Sequence, residues 1–197
     1  SSPFNSQIKI YKDKFFIIDS DNTLRCYSLK DGDEIWKIKT SKAFIKSQKR
    51  LSIIIIDKNV YFNNSIGDIS AVGIESGDLI WQTPTQNNLI LENTFSLKTA
   101  DLISSKNSIF VSNNRNNFYS LDANSGFINW EQKVNTNIKS TLINDYLFSI
   151  TMNGFLTIID SKNGNLIRAT DIFSFLRKKN RKNLITGKII KSKEKIE

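Results

Sequence analysis

The sequence has no histidine and a single cysteine, Cys26. Without histidine, the commonest general base and the commonest metal ligand are both missing, which excludes Ser-His, Cys-His and histidine-zinc chemistry. One cysteine excludes an internal disulfide and any cysteine-rich zinc site. Two prolines and eight glycines are too few for a collagen-like or proline-rich chain. The longest apolar run, Leu51 to Ile56, is interrupted by Ser52 and is far shorter than a membrane-spanning helix requires. The opening Ser1-Ser2-Pro3-Phe4 has neither a basic nor an apolar leader character, so any export signal or lipid anchor is expected to lie outside this sequence.

What is present suits a β-rich core: 39% of the 197 residues are hydrophobic, with Ile, Val, Phe and Tyr plentiful, and a single domain is expected. The net charge of +9 is unevenly placed. Residues 177–197 hold nine Lys or Arg against two Glu, so the preceding residues are nearly neutral. The run Arg177-Lys178-Lys179-Asn180-Arg181-Lys182 is suited to phosphate or anionic lipid, but it lacks interleaved aromatics for base stacking. A solvated basic tail, or the start of a further structural unit near Asn183 to Ile190, is the simpler reading, and no nucleic-acid partner is expected.

Four segments resemble one another: Leu29-Lys30-Asp31-Gly32-Asp33-Glu34-Ile35-Trp36, Ile74-Glu75-Ser76-Gly77-Asp78-Leu79-Ile80-Trp81, Asp122-Ala123-Asn124-Ser125-Gly126-Phe127-Ile128-Asn129-Trp130, and Asp160-Ser161-Lys162-Asn163-Gly164-Asn165-Leu166-Ile167-Arg168. Each glycine precedes the large residue by four positions, and the glycines recur at intervals of 45, 49 and 38 residues. That spacing is close to the period of a four-stranded propeller blade. A glycine between two β-rich runs supplies the positive φ of a tight hairpin, so each segment reads as strand, turn and strand.

Further apolar runs complete the blades. The second blade is expected to use Leu51 to Ile56, Val60 to Asn63, Ile69 to Ile74 and Leu79 to Thr83. The third uses Asp101 to Ser104, Ile109 to Ser112, Phe118 to Leu121 and Phe127 to Lys133. For the fourth, the runs are Thr141 to Ile143, Leu147 to Thr151, Phe155 to Ile159 and Leu166 to Ala169. The first shows only its last three strands, from near Phe15. Aligning Tyr27-Ser28-Leu29, Val72-Gly73-Ile74, Tyr119-Ser120-Leu121 and Thr157-Ile158-Ile159 gives a middle column that is small in three of four. Such a column would admit a tryptophan from an adjacent blade. Trp36, Trp81 and Trp130 are therefore read as packing wedges between blades, working with Gly32, Gly77, Gly126 and Gly164. The competing reading is an aromatic floor for a ligand.

These residues resemble the repeat of PQQ-type β-propellers, and within them the BamB family of the outer-membrane β-barrel assembly machinery. The likeness runs from about Asp19 to Leu176 and includes Ile69-Ser70-Ala71-Val72, Ile80-Trp81-Gln82 and Asn165-Leu166-Ile167-Arg168-Ala169-Thr170-Asp171-Ile172. It implies an all-β fold with about four blades present, a partial arc of an eight-bladed propeller, with apolar surface left exposed at both ends. It also implies a non-catalytic scaffold at the periplasmic face of the outer membrane, anchored by lipid outside this chain, with a BamA-type protein partner. The family's contact stretches correspond here to Ile45-Lys46-Ser47-Gln48 and Thr99-Ala100-Asp101, so Ile45 and Asp101 are the candidate partner-binding residues. From the residues alone, Asp101 reads as a turn or strand-edge carboxylate, Ile45 as an anchor or a tucked loop residue, and Cys26 as a small core residue.

The competing functions are a PQQ-dependent dehydrogenase and a ligand-sensing propeller. Such dehydrogenases commonly carry a vicinal cysteine pair, which one cysteine cannot make. Asp19-Ser20-Asp21-Asn22 and Asp31-Gly32-Asp33 lack the further ligands of a calcium loop and read as turns. Asn113-Asn114-Arg115-Asn116-Asn117 has hydrogen-bonding capacity for a polar ligand, but asparagine also tolerates the left-handed turn conformation. No catalytic, metal or cofactor residue is expected.

Overall fold

The computed structural model describes residues 2–40, 49–86 and 97–176. Among them the chain forms four antiparallel sheets of four strands and no helix. The first blade is β1 (Lys9–Tyr11), β2 (Lys14–Ile18), β3 (Thr23–Ser28) and β4 (Glu34–Lys39). The second is β5 (Ile53–Ile56), β6 (Asn59–Asn63), β7 (Ile69–Gly73) and β8 (Leu79–Thr83). The third is β9 (Ile103–Ser105), β10 (Ser108–Ser112), β11 (Phe118–Asp122) and β12 (Ile128–Gln132). The fourth is β13 (Thr141–Ile143), β14 (Tyr146–Ile150), β15 (Phe155–Asp160) and β16 (Leu166–Asp171). The first blade therefore has the strand that the sequence does not announce: Lys9–Tyr11 pairs with Lys14–Phe16 across the short Lys12-Asp13 turn.

Each sheet is a simple meander, so its first strand begins and its last strand finishes at the same end of the arc. The first strands of successive blades touch one another, β1 with β5, β5 with β9 and β9 with β13. They are thus the inner strands, and the blades fan outward from them. The outer strand β16 is exposed over most of its length, as expected where nothing packs beyond it.

Strand alternation sends one side chain to each neighbouring blade, so an inner blade is apolar on both faces. In β6, Val60 and Phe62 pack toward the first blade, against Phe16, Ile18, Leu24 and Cys26. Tyr61, between them, packs toward the third, against Leu102, Ile109, Tyr119 and Leu121. A third core joins Phe110, Phe118 and Trp130 to Leu147 and Ile159 of the fourth blade. The cores are thus seams between blades. The faces at the two ends of the arc lack such cover: Ile10 is 63% exposed on the first blade, and Ile143 52% exposed on the fourth.

In the first three blades, the turns between second and third strands share one device. The first residue accepts two backbone N–H groups on its side-chain oxygen: Asp19 from Asp21 and Thr23, Asn64 from Ile66 and Asp68, Asn113 from Arg115 and Asn117. The acidic and asparagine runs are therefore turn formers in this structure. After β16, residues 172–175 form a turn, with Phe173 lying on Gly154.

Candidate interaction surface

Sequence and geometry agree most closely at the blade seams. Each hairpin glycine is left-handed, with φ of 78° at Gly32, 75° at Gly77 and 76° at both Gly126 and Gly164. Its N–H donates to the carbonyl four residues earlier, as in Gly77 to Gly73 and Gly126 to Asp122. At three of these turns the indole of the preceding blade lies across the glycine. A methyl group added at Gly77, Gly126 or Gly164 would fall 2.8, 2.6 or 2.7 Å from the ring of Trp36, Trp81 or Trp130 respectively. Each indole N–H donates to the next blade: Trp36 to Ile74 O, Trp81 to Ala123 O and Trp130 to Ser161 O, all at 2.9 Å. The ring fills a seam and its one polar atom is satisfied there.

The small-residue column lies where the alignment placed it in the third blade, and two residues earlier than the alignment placed it in the first and second. The residues opposite the tryptophans are Cys26, Ala71 and Ser120, each the cross-strand partner of the indole within its own sheet. Ser28 and Gly73 instead supply turn carbonyls. The register shift recurs in all four third-to-fourth strand pairs, so the difference is a slip of the alignment itself, whose column stands four residues before the hairpin glycine in the first two blades and six before it in the last two. In the fourth blade the corresponding pair is Ile158 with Arg168, a large residue opposite a cation.

Polar contacts also stitch the seams. Asn22 Nδ2 donates to Ser65 Oγ and its Oδ1 accepts from Ser65 N, both at 2.9 Å and buried. Cys26 is fully buried, and burial pushes its thiol up to about 11.

Four segments converge where the inner strands begin. Gln7, just before β1, donates through Nε2 to Asp101 Oδ2 at 2.9 Å, spanning from the first blade to the third. Lys49, shortly before β5, donates to Asn137 O, which precedes β13. Burial holds the Lys49 ammonium below its ordinary range, while the Asp101 carboxylate opposes that shift. Asp101 is half-buried, so it is both a tie between blades and an acid at the edge of this convergence. No local motif marks Gln7 or Lys49, whose partners lie 94 and 88 residues away. Ile45 and the basic segment 177–197 lie outside the described residues.

At the opposite end of the arc, a cleft of about 520 Å³ between the third and fourth blades is lined by Lys106, Asn129, Asp145, Ser161 and Lys162 among others. Among the described residues no three acidic, cysteine or histidine side chains cluster as metal ligands would. No helix there is long and apolar enough to cross a membrane.

Repeated four-stranded meanders, inner strands in contact and indoles laid across the next blade's glycine define an arc of a PQQ-type repeat β-propeller. The family model described as outer membrane protein assembly factor BamB matches residues 1–170, and the chain belongs to that family. Among solved structures, BamB from Moraxella catarrhalis is similar at 16% identity with a TM-score of 0.67, over 86% of this chain and 54% of that one. The computationally designed Ika8 protein is similar at 12% identity and 0.60, over 83% of this chain and 48% of its own. A europium-containing methanol dehydrogenase is similar at 13% identity and 0.60, over 84% and 41%. At these identities the likeness is one of fold. The chain spans about half the length of the first two structures. No curated protein sequence matches it.

Proposed function

We propose that this chain is a non-catalytic BamB-type scaffold that aids insertion of β-barrel proteins into the outer membrane, working at its periplasmic face through a BamA-type protein partner. The family match over residues 1–170 carries the reading. The arc also supports it physically. Its inner-strand end presents Asp101 with one carboxylate oxygen tied to Gln7, a preorganised acid for a cationic or amide group on a partner. Ile45 enters the reading through the family resemblance alone.

The test is binding of the purified 197-residue chain to the periplasmic domains of a BamA-type protein. Saturable binding is expected, with Ile45→Glu and Asp101→Lys each weakening it by about tenfold or more. Absence of binding by the parent chain contradicts the reading, and so does binding that both variants retain in full. Saturable uptake of PQQ with calcium would instead favour the dehydrogenase side of the fold's relatives.

A further inference from the structure

The three seams between blades differ at one end, where the turn between first and second strands meets the hairpin of the next blade. In the first seam, Tyr11 and Cys26 fill that end from one side and Ile74 from the other, all part of its core. In the second, Ile56, Ala71 and Ala123 hold the same places. Strand register and the carbonyls that accept the indole N–H groups put Ser105, Ser120 and Ser161 there in the third. A fourth serine, Ser108, stands where the first seam has Lys14, whose ammonium crosses to Glu75 of the second blade at 3.1 Å. Lys162 holds the place of Glu75 and pairs instead with Asp145 of its own blade, at 2.7 Å. Small hydroxyl side chains thus replace the filling of the other seams, and the ion pair that ties the first seam has no counterpart. The third seam opens there into the cleft of about 520 Å³.

The lining has one chemical character. Ser120 is only 1% exposed, and its Oγ accepts from Asn129 Nδ2 at 3.3 Å. Among the described residues, no protein acceptor takes the hydroxyl proton of Ser105, Ser108, Ser120 or Ser161. A hydroxyl both donates and accepts, as the two ends of an amide do, so this set suits a ligand with hydroxyls of its own. Lys106, from the third blade, and Lys162, from the fourth, stand against the single acid Asp145, which leaves one cation in excess. The Asp145 carboxyl is held below its ordinary range, chiefly by the hydrogen bond from Lys162 and further by the charge of Lys106. Phe110, 1% exposed, closes the floor. Both walls belong to adjoining blades within the described residues, so the cleft does not depend on what lies beyond either end of the arc. Residues 177–197, with nine Lys or Arg against two Glu, carry the wrong charge to fill it.

We propose that this cleft binds a small anionic polyol, a sugar carrying one acidic group, with the serines and Asn129 on its hydroxyls and Lys106 on its charge. The inference is independent of the BamA-type reading. The volume falls in the range of small-molecule sites, and a few convergent polar groups over an apolar floor are what fixes a ligand's orientation in such a site.

Calorimetric titration of the 197-residue chain with glucose 6-phosphate and with glucuronate is expected to give saturable binding of at least one, with a dissociation constant of about 1 mM or below. Which of the two binds distinguishes a phosphate from a carboxylate as the acidic group. Glucose lacks the charge and inorganic phosphate lacks the hydroxyls, so each is expected to bind about tenfold more weakly or worse. Lys106→Glu, at an exposed turn, reverses the excess charge. Ser105→Ile with Ser161→Ile copies Ile56 and Ile74 of the filled seams. Each variant is expected to weaken binding by about tenfold or more, with urea unfolding as the check that both fold. Should the isoleucine pair overpack the seam, Ser120→Ala, which copies Ala71, is expected to show the same loss in a folded chain. Absence of saturable binding of either acidic sugar overturns the proposal. So does equal binding of glucose or of inorganic phosphate, which would mark a plain sugar or a plain anion site, and so does binding that either folded variant retains in full.

Discussion

The Gly126 and Gly32 turns have nearly the same backbone, φ 76° and 78°, but opposite surroundings. Gly126 has the Trp81 ring and Thr83 Oγ1 within 3 Å of the place a Cβ would take; Gly32 has open space. One repeat unit thus appears in two states, covered at a seam and bare at an end. The local hairpin is set by its own residues, while the packing that stabilises it comes from the neighbouring blade, as in other stacked repeats.

Deleting a wedge should give the largest contrast. Trp130→Ala is expected to cost about 3–5 kcal/mol, since it empties a seam that also holds Phe110 and Phe118. Phe127→Ala, at a side chain 78% exposed in the adjoining turn, is expected to stay within about 0.5 kcal/mol. Urea unfolding of both variants decides, and equal losses would erase the distinction between seam and surface.

The two glycines give a smaller contrast. Gly32→Ala meets only the left-handed backbone penalty, about 1–2 kcal/mol. Gly126→Ala adds overpacking against the indole, about 1–3 kcal/mol more. Thermal melts should rank the pair in that order, and the reverse order would mean that the Trp81 ring does not lie where described.

The smallest effect concerns protons. Burial raises the Asp68 carboxyl above its ordinary range despite hydrogen bonds from Gln82 and Asn64. The exposed Asp31 is held below its range, chiefly by the Ser28 hydroxyl. With a raised native pKa, the folded state binds more protons than the unfolded one between the ordinary aspartate value and the native value. Asp68 therefore favours folding as pH falls through that window and weakens it as pH rises. Asp31 acts in the opposite sense, below its ordinary value. Asp68→Asn is expected to remove a stabilisation gained on acidification towards the ordinary aspartate value, read as the shift of the urea midpoint between pH 7 and about pH 4. An unchanged shift would show that Asp68 is not desolvated.

The repeat was legible because glycine and tryptophan are fixed in number and spacing by the seam they share. Four blades and most strand positions followed from that. β1 escapes the sequence reading although β9 and β13, equally short and also followed by turns without glycine, are legible in it; in all of these turns a non-glycine residue takes the positive φ. The small column is misplaced by two residues in the first and second blades, because the alignment by eye does not hold the hairpin glycine at a constant distance from it. Asp101 was singled out by family resemblance, but its tie to Gln7 depends on the arc bringing the first and third blades together, and no local pattern records that. Arg168 stands in the fourth segment where the other three have tryptophan.

The central claim is that three indoles bridge successive blades through their single N–H groups. Hydrogen exchange of the indole Nε1 protons, followed by NMR, tests it directly, because Trp36, Trp81 and Trp130 are the only tryptophans. All three signals are predicted to exchange far more slowly than free indole. Any one exchanging at the free rate would contradict the seam at that blade, and all three doing so would contradict the arc.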